Sequence, residues 1–208
     1  MKVLSAVLLF IFIFTGLSFA EDSLQSARDN YYKGKISEAY KQITKALESG
    51  DERLDVFYYA GIIYSDFGET GKSIEILFTG LQKFPKNEKL LTIAGRNFIR
   101  AGRYLEGLSV LKELITLGNK DSRVREYAGD ASVGLGRYKD AESYYKKALE
   151  LNPGEVWVYI KLGRVQKRMK KFKDSRNSFS TALKKAREQN INLLTLLAEH
   201  ELKGLDNN

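Results

Sequence analysis

Residues 129–153 read GDASVGLGRYKDAESYYKKALELNP, and this stretch decides the fold. Apolar positions such as Tyr144, Ala148 and Leu151 recur every three to four residues, the period of an amphipathic helix. Gly136 interrupts that pattern and Pro153 ends it, so the stretch holds the end of one short helix, a tight turn and a second short helix. Gly129, Ala141 and Ala148 are small and let the two backbones approach closely, while Tyr138 and Tyr145 fill the space beside them. A side chain larger than alanine at Gly129 is expected to overpack this contact by about 1–3 kcal/mol.

The same pattern returns every 34 residues in both directions. Gly61, Gly95, Gly129 and Gly163 form one column, with Ala27 one period earlier, and Gly34, Gly68, Gly102 and Gly136 form a second that breaks at Lys170. Small residues repeat again at Ala39, Ser73, Gly107, Ala141 and Ser175, and at Ala46, Gly80, Leu114, Ala148 and Ala182. Large apolar residues keep the same period at Ile43, Leu77, Leu111, Tyr145 and Phe179, and at Leu47, Leu81, Ile115, Leu149 and Leu183. Pro85 and Pro153, the only prolines, stand two periods apart. A fixed period of this length marks an array of helix pairs, each too small to bury its own apolar face and stabilised by stacking on its neighbours. Strands would require alternation of period two and β-branched enrichment, and neither is visible after Ala20.

These residues resemble the tetratricopeptide repeat family. The fourth repeat carries its pattern at Gly129, Gly136, Tyr138, Ala141, Tyr145, Ala148 and Pro153, and the second at Phe57, Gly61, Tyr64, Gly68, Leu77 and Pro85. The resemblance implies an all-α, right-handed α-solenoid of five helix pairs, near 20–53, 54–87, 88–121, 122–155 and 156–189. Three places depart from the pattern: the first repeat lacks the large residue and glycine of its first helix, the third has Leu114 where alanine is usual, and the fifth has Arg187 where proline is usual. The remaining 190–208 reads as a capping helix and tail, the helix running from Asn190 to Gly204 with a stripe of Ile191, Leu194, Leu197, Ala198 and Leu202. Leu193 and Leu196 fall off that stripe, either lining a broad cap or forming a patch for a protein partner or self-association.

The chain opens with Met1-Lys2, an apolar run from Val3 to Phe14 and the small-x-small pattern Ser18-Phe19-Ala20, the order of a secretory signal peptide over 1–20 cleaved before Glu21. The repeat domain would then occupy 21–189. An uncleaved anchor is the rival reading, because Val3 to Ala20 is just long enough to span a bilayer. The formal charge is +8, and +7 once the leader is removed. Without cysteine the chain can form neither a disulfide nor a cysteine-based metal site. Export argues against nucleic acid as the partner of a basic chain, and the absence of any Asn-x-Ser/Thr sequon fits a bacterial envelope, periplasmic or secreted.

Catalytic machinery is not evident. His200 is the only histidine, flanked by Glu199 and Glu201 on the expected cap, so there is no second imidazole for a metal or a triad. The glycines obey the 34-residue period and have a packing explanation rather than a phosphate-binding one, and no cofactor or metal is expected. The chain therefore reads as a non-enzymatic scaffold.

In the resembling family the first helix of each pair lines a concave face that takes a peptide. Carried over, that groove comprises Gln25, Arg28, Tyr31, Tyr58, Tyr59, Ile62, Asp66, Lys89, Thr92, Arg96, Arg100, Arg123, Tyr127, Asp130, Trp157, Lys161, Arg164 and Arg168. Aromatic area combined with arginine forks suits an acidic peptide segment or a free C-terminus, unless the cations serve only to pair with Asp66, Glu126 and Asp130. One subset of the family clamps a C-terminal carboxylate at places that here hold Leu24, Arg28, Tyr59, Lys89 and Ile93. Only Lys89 matches, so that clamp is not expected. The basic run Lys161, Arg164, Lys167, Arg168, Lys170, Lys171 and Lys173 is either a solvated turn or a contact for anionic headgroups or an acidic partner. A second functional class is a structural or membrane-associated subunit that oligomerises through its terminal helices.

Overall fold

The computed structural model describes residues 23–206; the expected signal peptide over 1–20 lies outside the described residues, as does the end of the tail. Eleven helices and no strand occur among the described residues. In order they are α1 over 23–32, α2 Ile36–Glu48, α3 Leu54–Phe67, α4 Thr70–Lys83, α5 Glu88–Arg100, α6 Tyr104–Thr116, α7 Ser122–Gly134, α8 Tyr138–Leu151, α9 Val156–Arg168, α10 Phe172–Glu188 and α11 Asn192–Asp206. They form two compact units that divide between Ala101 and Gly102, so the third helix pair gives α5 to the first unit and α6 to the second.

Within each pair the turn is set by a left-handed residue. Gly34, Gly68, Gly102 and Gly136 have φ between 70° and 104°, and Lys170 keeps the same geometry at φ 60° although it has a side chain. In the fourth pair Gly136 N donates to Val133 O at 2.9 Å and Arg137 N to Ser132 O at 2.8 Å; in the fifth, Lys170 N donates to Lys167 O and Lys171 N to Gln166 O, both at 2.9 Å. These two bonds satisfy carbonyls that the helix end would otherwise leave unpaired. The chain has therefore retained the turn at Lys170 while losing the residue type that makes it easy.

In the first unit, Ala27, Ala39, Ile43, Ala46, Val56, Ala60 and Ile63 are fully buried between α1, α2 and α3, and Phe57, Leu77, Leu90 and Ala94 close α3, α4 and α5 on one another. In the second unit, Tyr145, Ala148, Val158 and Val165 join α8 to α9, and Ile160, Phe179, Ala182 and Ala198 join α9, α10 and α11. Burying a large apolar side chain of this kind is worth about 1.5–3 kcal/mol. The second large apolar column is less deeply placed than the first, with Leu47, Leu81, Ile115 and Leu183 only half-buried.

The glycine column marks where a bulky residue of the second helix lies on the backbone of the first. A Cβ built on Gly129 would lie 2.5 Å from Tyr145 Cε1, one on Gly61 2.5 Å from Leu77 Cδ2, and one on Gly163 2.5 Å from Phe179 Cε1. Gly129 thus faces the Tyr145 ring and not the small Ala141 and Ala148, and even alanine is too large there. Ser73 and Ser175 use their places in the small-residue column to bond the facing glycine carbonyl: Ser73 Oγ donates to Gly61 O at 2.5 Å and Ser175 Oγ to Gly163 O at 2.8 Å.

The C-terminal end differs from the sequence expectation in its bounds. Pro85 and Pro153 follow α4 and α8 by two residues and stop them, whereas Arg187 permits α10 to continue for 17 residues to Glu188. The capping helix consequently spans Asn192–Asp206 rather than 190–204. Its inward stripe is the expected one, with Ala198 buried and Ile191, Leu194, Leu197 and Leu202 packed against the same core, and it extends to Leu205, while Leu193 and Leu196 are 75% and 65% exposed.

Candidate protein-binding face

The first helices of successive pairs carry the expected groove residues, and their contacts fall into one set in each unit. In the first unit Asp66, at the end of α3, is a hub. Tyr31 OH donates to its Oδ2 at 2.8 Å, Arg96 Nη2 donates to its Oδ1 at 2.7 Å, and Arg100 Nη1 also bonds Oδ1. Arg100 Nη2 caps the chain further by donating to Ser65 O at 3.0 Å. Burial opposes the charge on Asp66, but the Tyr31 hydroxyl and the two guanidiniums outweigh it and hold the carboxyl below its ordinary range. Tyr31 is pushed up to about 12 by burial and by its bond to Asp66, so it stays a hydrogen-bond donor.

Beside the hub lies a cluster of tyrosines. The Tyr31 and Tyr32 rings meet edge-on at 5.7 Å and those of Tyr58 and Tyr59 at 5.2 Å, and the hydroxyls of Tyr32 and Tyr59 are 3.2 Å apart. Tyr59 is pushed up to about 12 by burial and by the Tyr32 hydroxyl. The Arg28 guanidinium lies 5.1 Å from the Tyr59 ring centre, and its Nε is buried with no hydrogen-bond partner among the described residues. Tyr32, which the sequence reading did not include, is 72% exposed. Its place just before the Gly34 turn was the only signal for it.

The remaining expected residues of this unit are dispersed. Gln25 Nε2 donates to Asp29 Oδ1 on its own helix, Thr92 Oγ1 donates back to Glu88 O, Ile62 is buried, and Lys89 is exposed at the start of α5. Leu24 and Ile93, two places of the carboxylate clamp, are 6% and 4% exposed within the core.

In the second unit Lys161 takes the central role. Its Nζ donates to Glu126 Oε1 and Asp130 Oδ2, both at 2.7 Å, and Tyr145 OH donates to Asp130 Oδ1 at 2.7 Å. Burial would lower the Lys161 pKa, but the carboxylates of Asp130 and Glu126 raise it overall, so it remains a cation. Arg164 Nε donates to Glu201 Oε1 of α11 at 2.6 Å, and its guanidinium lies 5.5 Å from the ring of Trp157, which is 36% exposed. Arg123 bonds Asp121, the N-cap of its own helix, Arg168 sits 5.8 Å from the Tyr138 ring, and Tyr127 is half-buried. His200 is exposed on α11.

The groove cations are therefore not a free basic excess: Arg96, Arg100, Lys161 and Arg164 each hold a carboxylate on a neighbouring helix of the face. The basic run is drawn inward as well. Lys167 donates to Gly204 O at 3.1 Å, and Lys171 donates at 2.6 Å to Glu142 Oε2. Glu142 heads a network the sequence reading missed. It also holds Lys146 at 2.9 Å and accepts from Gln166 Nε2 at 3.3 Å, while Ser178 Oγ donates to Gln166 Oε1 at 2.7 Å. Burial would raise the Glu142 pKa, but Lys171, Lys146 and Gln166 bring it down to about 2.

Two family models, both described as tetratricopeptide repeat, match residues 94–156 and 132–199, together just over half of the chain. The chain belongs to the tetratricopeptide repeat family. Its fold is the all-α repeat solenoid of that family, whose arrays of helix pairs serve as scaffolds for protein–protein interaction. Among solved structures, this tetratricopeptide protein is similar to MamA of Desulfovibrio magneticus RS-1, at 19% identity and a TM-score of 0.70 over 82% of this chain and 97% of that one. It is similar also to a thermophilic tetratricopeptide protein of Thermus thermophilus, at 17% identity and a TM-score of 0.76 over 88% and 98% of the two chains. MamA of AMB-1 gives 22% identity and a TM-score of 0.67 over 82% and 98%. At these identities the likeness is one of fold. No curated protein matches the chain in sequence.

Proposed function

We propose that the chain is an exported, non-enzymatic scaffold of the cell envelope that holds an extended segment of a partner protein against α1 and α3, the first helices of the first two pairs. The observation that carries the reading is the tyrosine cluster of the first unit: Tyr31, Tyr32, Tyr58 and Tyr59 linked ring to ring and by hydroxyl, with the Arg28 guanidinium over the Tyr59 ring and Tyr32 open to solvent. Tyrosines give large, rigid contact area at low entropic cost, and a half-buried guanidinium beside them is a charged donor for a partner's carbonyl or carboxylate. The leader over 1–20 supports export. Contact residues in this reading are Arg28, Tyr31, Tyr32, Tyr58 and Tyr59; the paired Arg96 and Arg100 shape the face of the first unit by joining α5 to α3.

Photo-crosslinking residues placed at Tyr32 and Tyr58 in living cells should yield the same partner adducts, and Arg28→Ala should reduce their yield about tenfold or more. Adducts of equal yield from a crosslinker at the outward Thr79 of α4 would refute the assignment of the face. The oligomeric alternative is favoured by one observation, the exposure of Leu193 and Leu196 on α11. Leu193→Glu with Leu196→Glu should leave the solution mass unchanged if the first reading holds; a drop to half would favour the alternative.

A further inference from the structure

The backbone of the proposed face is closed to a partner. The N–H and C=O groups along α1 and α3 bond within their own helices, so a segment laid across them has no strand edge to pair with and must be held by side chains. Those side chains are rings and donors. Tyr31 and Tyr32 stand at an interplanar angle of 69° and Tyr58 and Tyr59 at 82°, so ring faces and ring edges lie next to one another. No hydrogen bond engages the Tyr58 hydroxyl among the described residues, and of the paired Tyr32 and Tyr59 hydroxyls, whichever accepts still has its own hydrogen to give. The half-buried Arg28 guanidinium can only donate. Acceptors are scarcer: Asp66 is filled by Tyr31, Arg96 and Arg100, Asp29 accepts from Gln25, and Asp55, exposed in the first turn of α3, stands a full turn before Tyr59.

We infer, resting on the function proposed above, that the segment this face receives is proline-rich and held as a polyproline II helix. Proline carries a carbonyl acceptor and no N–H donor, and a polyproline II helix makes no internal hydrogen bonds, so its carbonyls are all open. An acceptor-only chain is the complement of a site made of hydroxyl and guanidinium donors. An ordinary extended segment would bring N–H groups that lose water against the rings and find few acceptors, which costs binding energy. Proline rings also pack on tyrosine rings with little rotamer freedom to lose, and the helix exists before it binds. The spacing agrees. At about three residues per turn and about 3.1 Å per residue, one side of the ligand repeats about every 9 Å, and packed helices lie about 8–10 Å apart, so successive prolines meet the rings of α1 and then those of α3. Arg28, over the Tyr59 ring, disfavours a cationic neighbour of the prolines and suits an acidic one.

The test is fluorescence anisotropy of labelled decaproline with the full chain, beside a labelled glycine–serine peptide of equal length. Decaproline should bind about tenfold or more tightly than the glycine–serine peptide. Tyr32→Ala, which removes an exposed ring, should weaken decaproline about fivefold or more. Tyr58→Phe keeps the ring and removes only the hydroxyl, so the fold is preserved and the loss should be about threefold or more. Failure of decaproline to bind, equal binding of the glycine–serine peptide, or an affinity unmoved by both substitutions would each overturn the inference. Partners crosslinked through Tyr32 by segments that lack proline would also overturn it while leaving the face itself standing, whereas loss of the face would show as equal adducts from Thr79.

Discussion

Gly129→Ala is the sharpest probe of how the helix pairs are held. The new Cβ would lie 2.5 Å from Cε1, 2.7 Å from Cδ1 and 3.0 Å from Cζ of Tyr145, a ring that is 2% exposed. That ring cannot swing aside freely, because its hydroxyl donates to Asp130 at 2.7 Å and Asp130 in turn holds Lys161. Overpacking of this kind costs about 1–3 kcal/mol. Alanine regains up to about 1 kcal/mol of helix propensity over glycine, so the net loss should be about 1–2 kcal/mol. In a chain of this length that corresponds to a fall in Tm of about 3–6 °C. Urea and thermal unfolding followed by circular dichroism would measure it, with Gly71→Ala as the control. Gly71 is exposed and has nothing within 4 Å of a built Cβ, so its replacement should be neutral or stabilising. The same substitution made in a Tyr145→Phe background should cost less, since the ring is then untethered. Equal losses in the two backgrounds, or stabilisation by Gly129→Ala, would refute the argument that a pinned ring sets the spacing of the pair.

Three further outcomes are expected. Lys170→Gly should stabilise the chain by about 1 kcal/mol, because a non-glycine residue holds φ 60° there, and a higher urea midpoint would register it. Glu142 has a folded pKa of about 2 against an ordinary 4.5; a depressed carboxylate stabilises fully above the ordinary value and loses that contribution as pH falls towards 2. Between pH 5 and pH 2.5 the unaltered chain should therefore lose about 1–2 kcal/mol more than Glu142→Gln, a figure reduced for solvent around the half-exposed lysines, as measured by urea midpoints at each pH. Asp66→Asn leaves two guanidiniums without their shared carboxylate and should destabilise by about 1–3 kcal/mol, with the loss seen as faster hydrogen exchange in α5.

The helix pairs were legible because their determinants are local and repeated. Gly61, Gly129 and Gly163 recur at a fixed interval, and each faces a large residue 16 positions later, so packing leaves a periodic trace in the sequence. Arg187 in place of proline was visible too, but its effect, a longer α10 and a displaced cap, depends on what α10 packs against. Charge pairing left a weaker trace. Tyr31 and Asp66, Lys161 and Glu126, and Arg164 and Glu201 are 35, 35 and 37 residues apart, about one period, which brings the partners onto neighbouring helices of the face; yet which of several acids and cations meet is settled by rotamers across the stack. The Glu142, Gln166 and Ser178 network was not foreseen, because polar residues at those places read as surface until the helix faces are known to close over them.

The displaced cap has a practical consequence for protein engineering. α9 starts at Val156, and adding one period gives 190, but α11 starts at Asn192. A designer who lengthens the array by splicing a consensus hairpin after the fifth pair on the 34-residue count would begin the incoming helix at Asn190, whose φ of 57° makes it part of the turn, two residues before the helix that seats Ala198 and Leu205. Grafts should begin their first helix at Asn192, or place a proline at 187 and shorten the connection first.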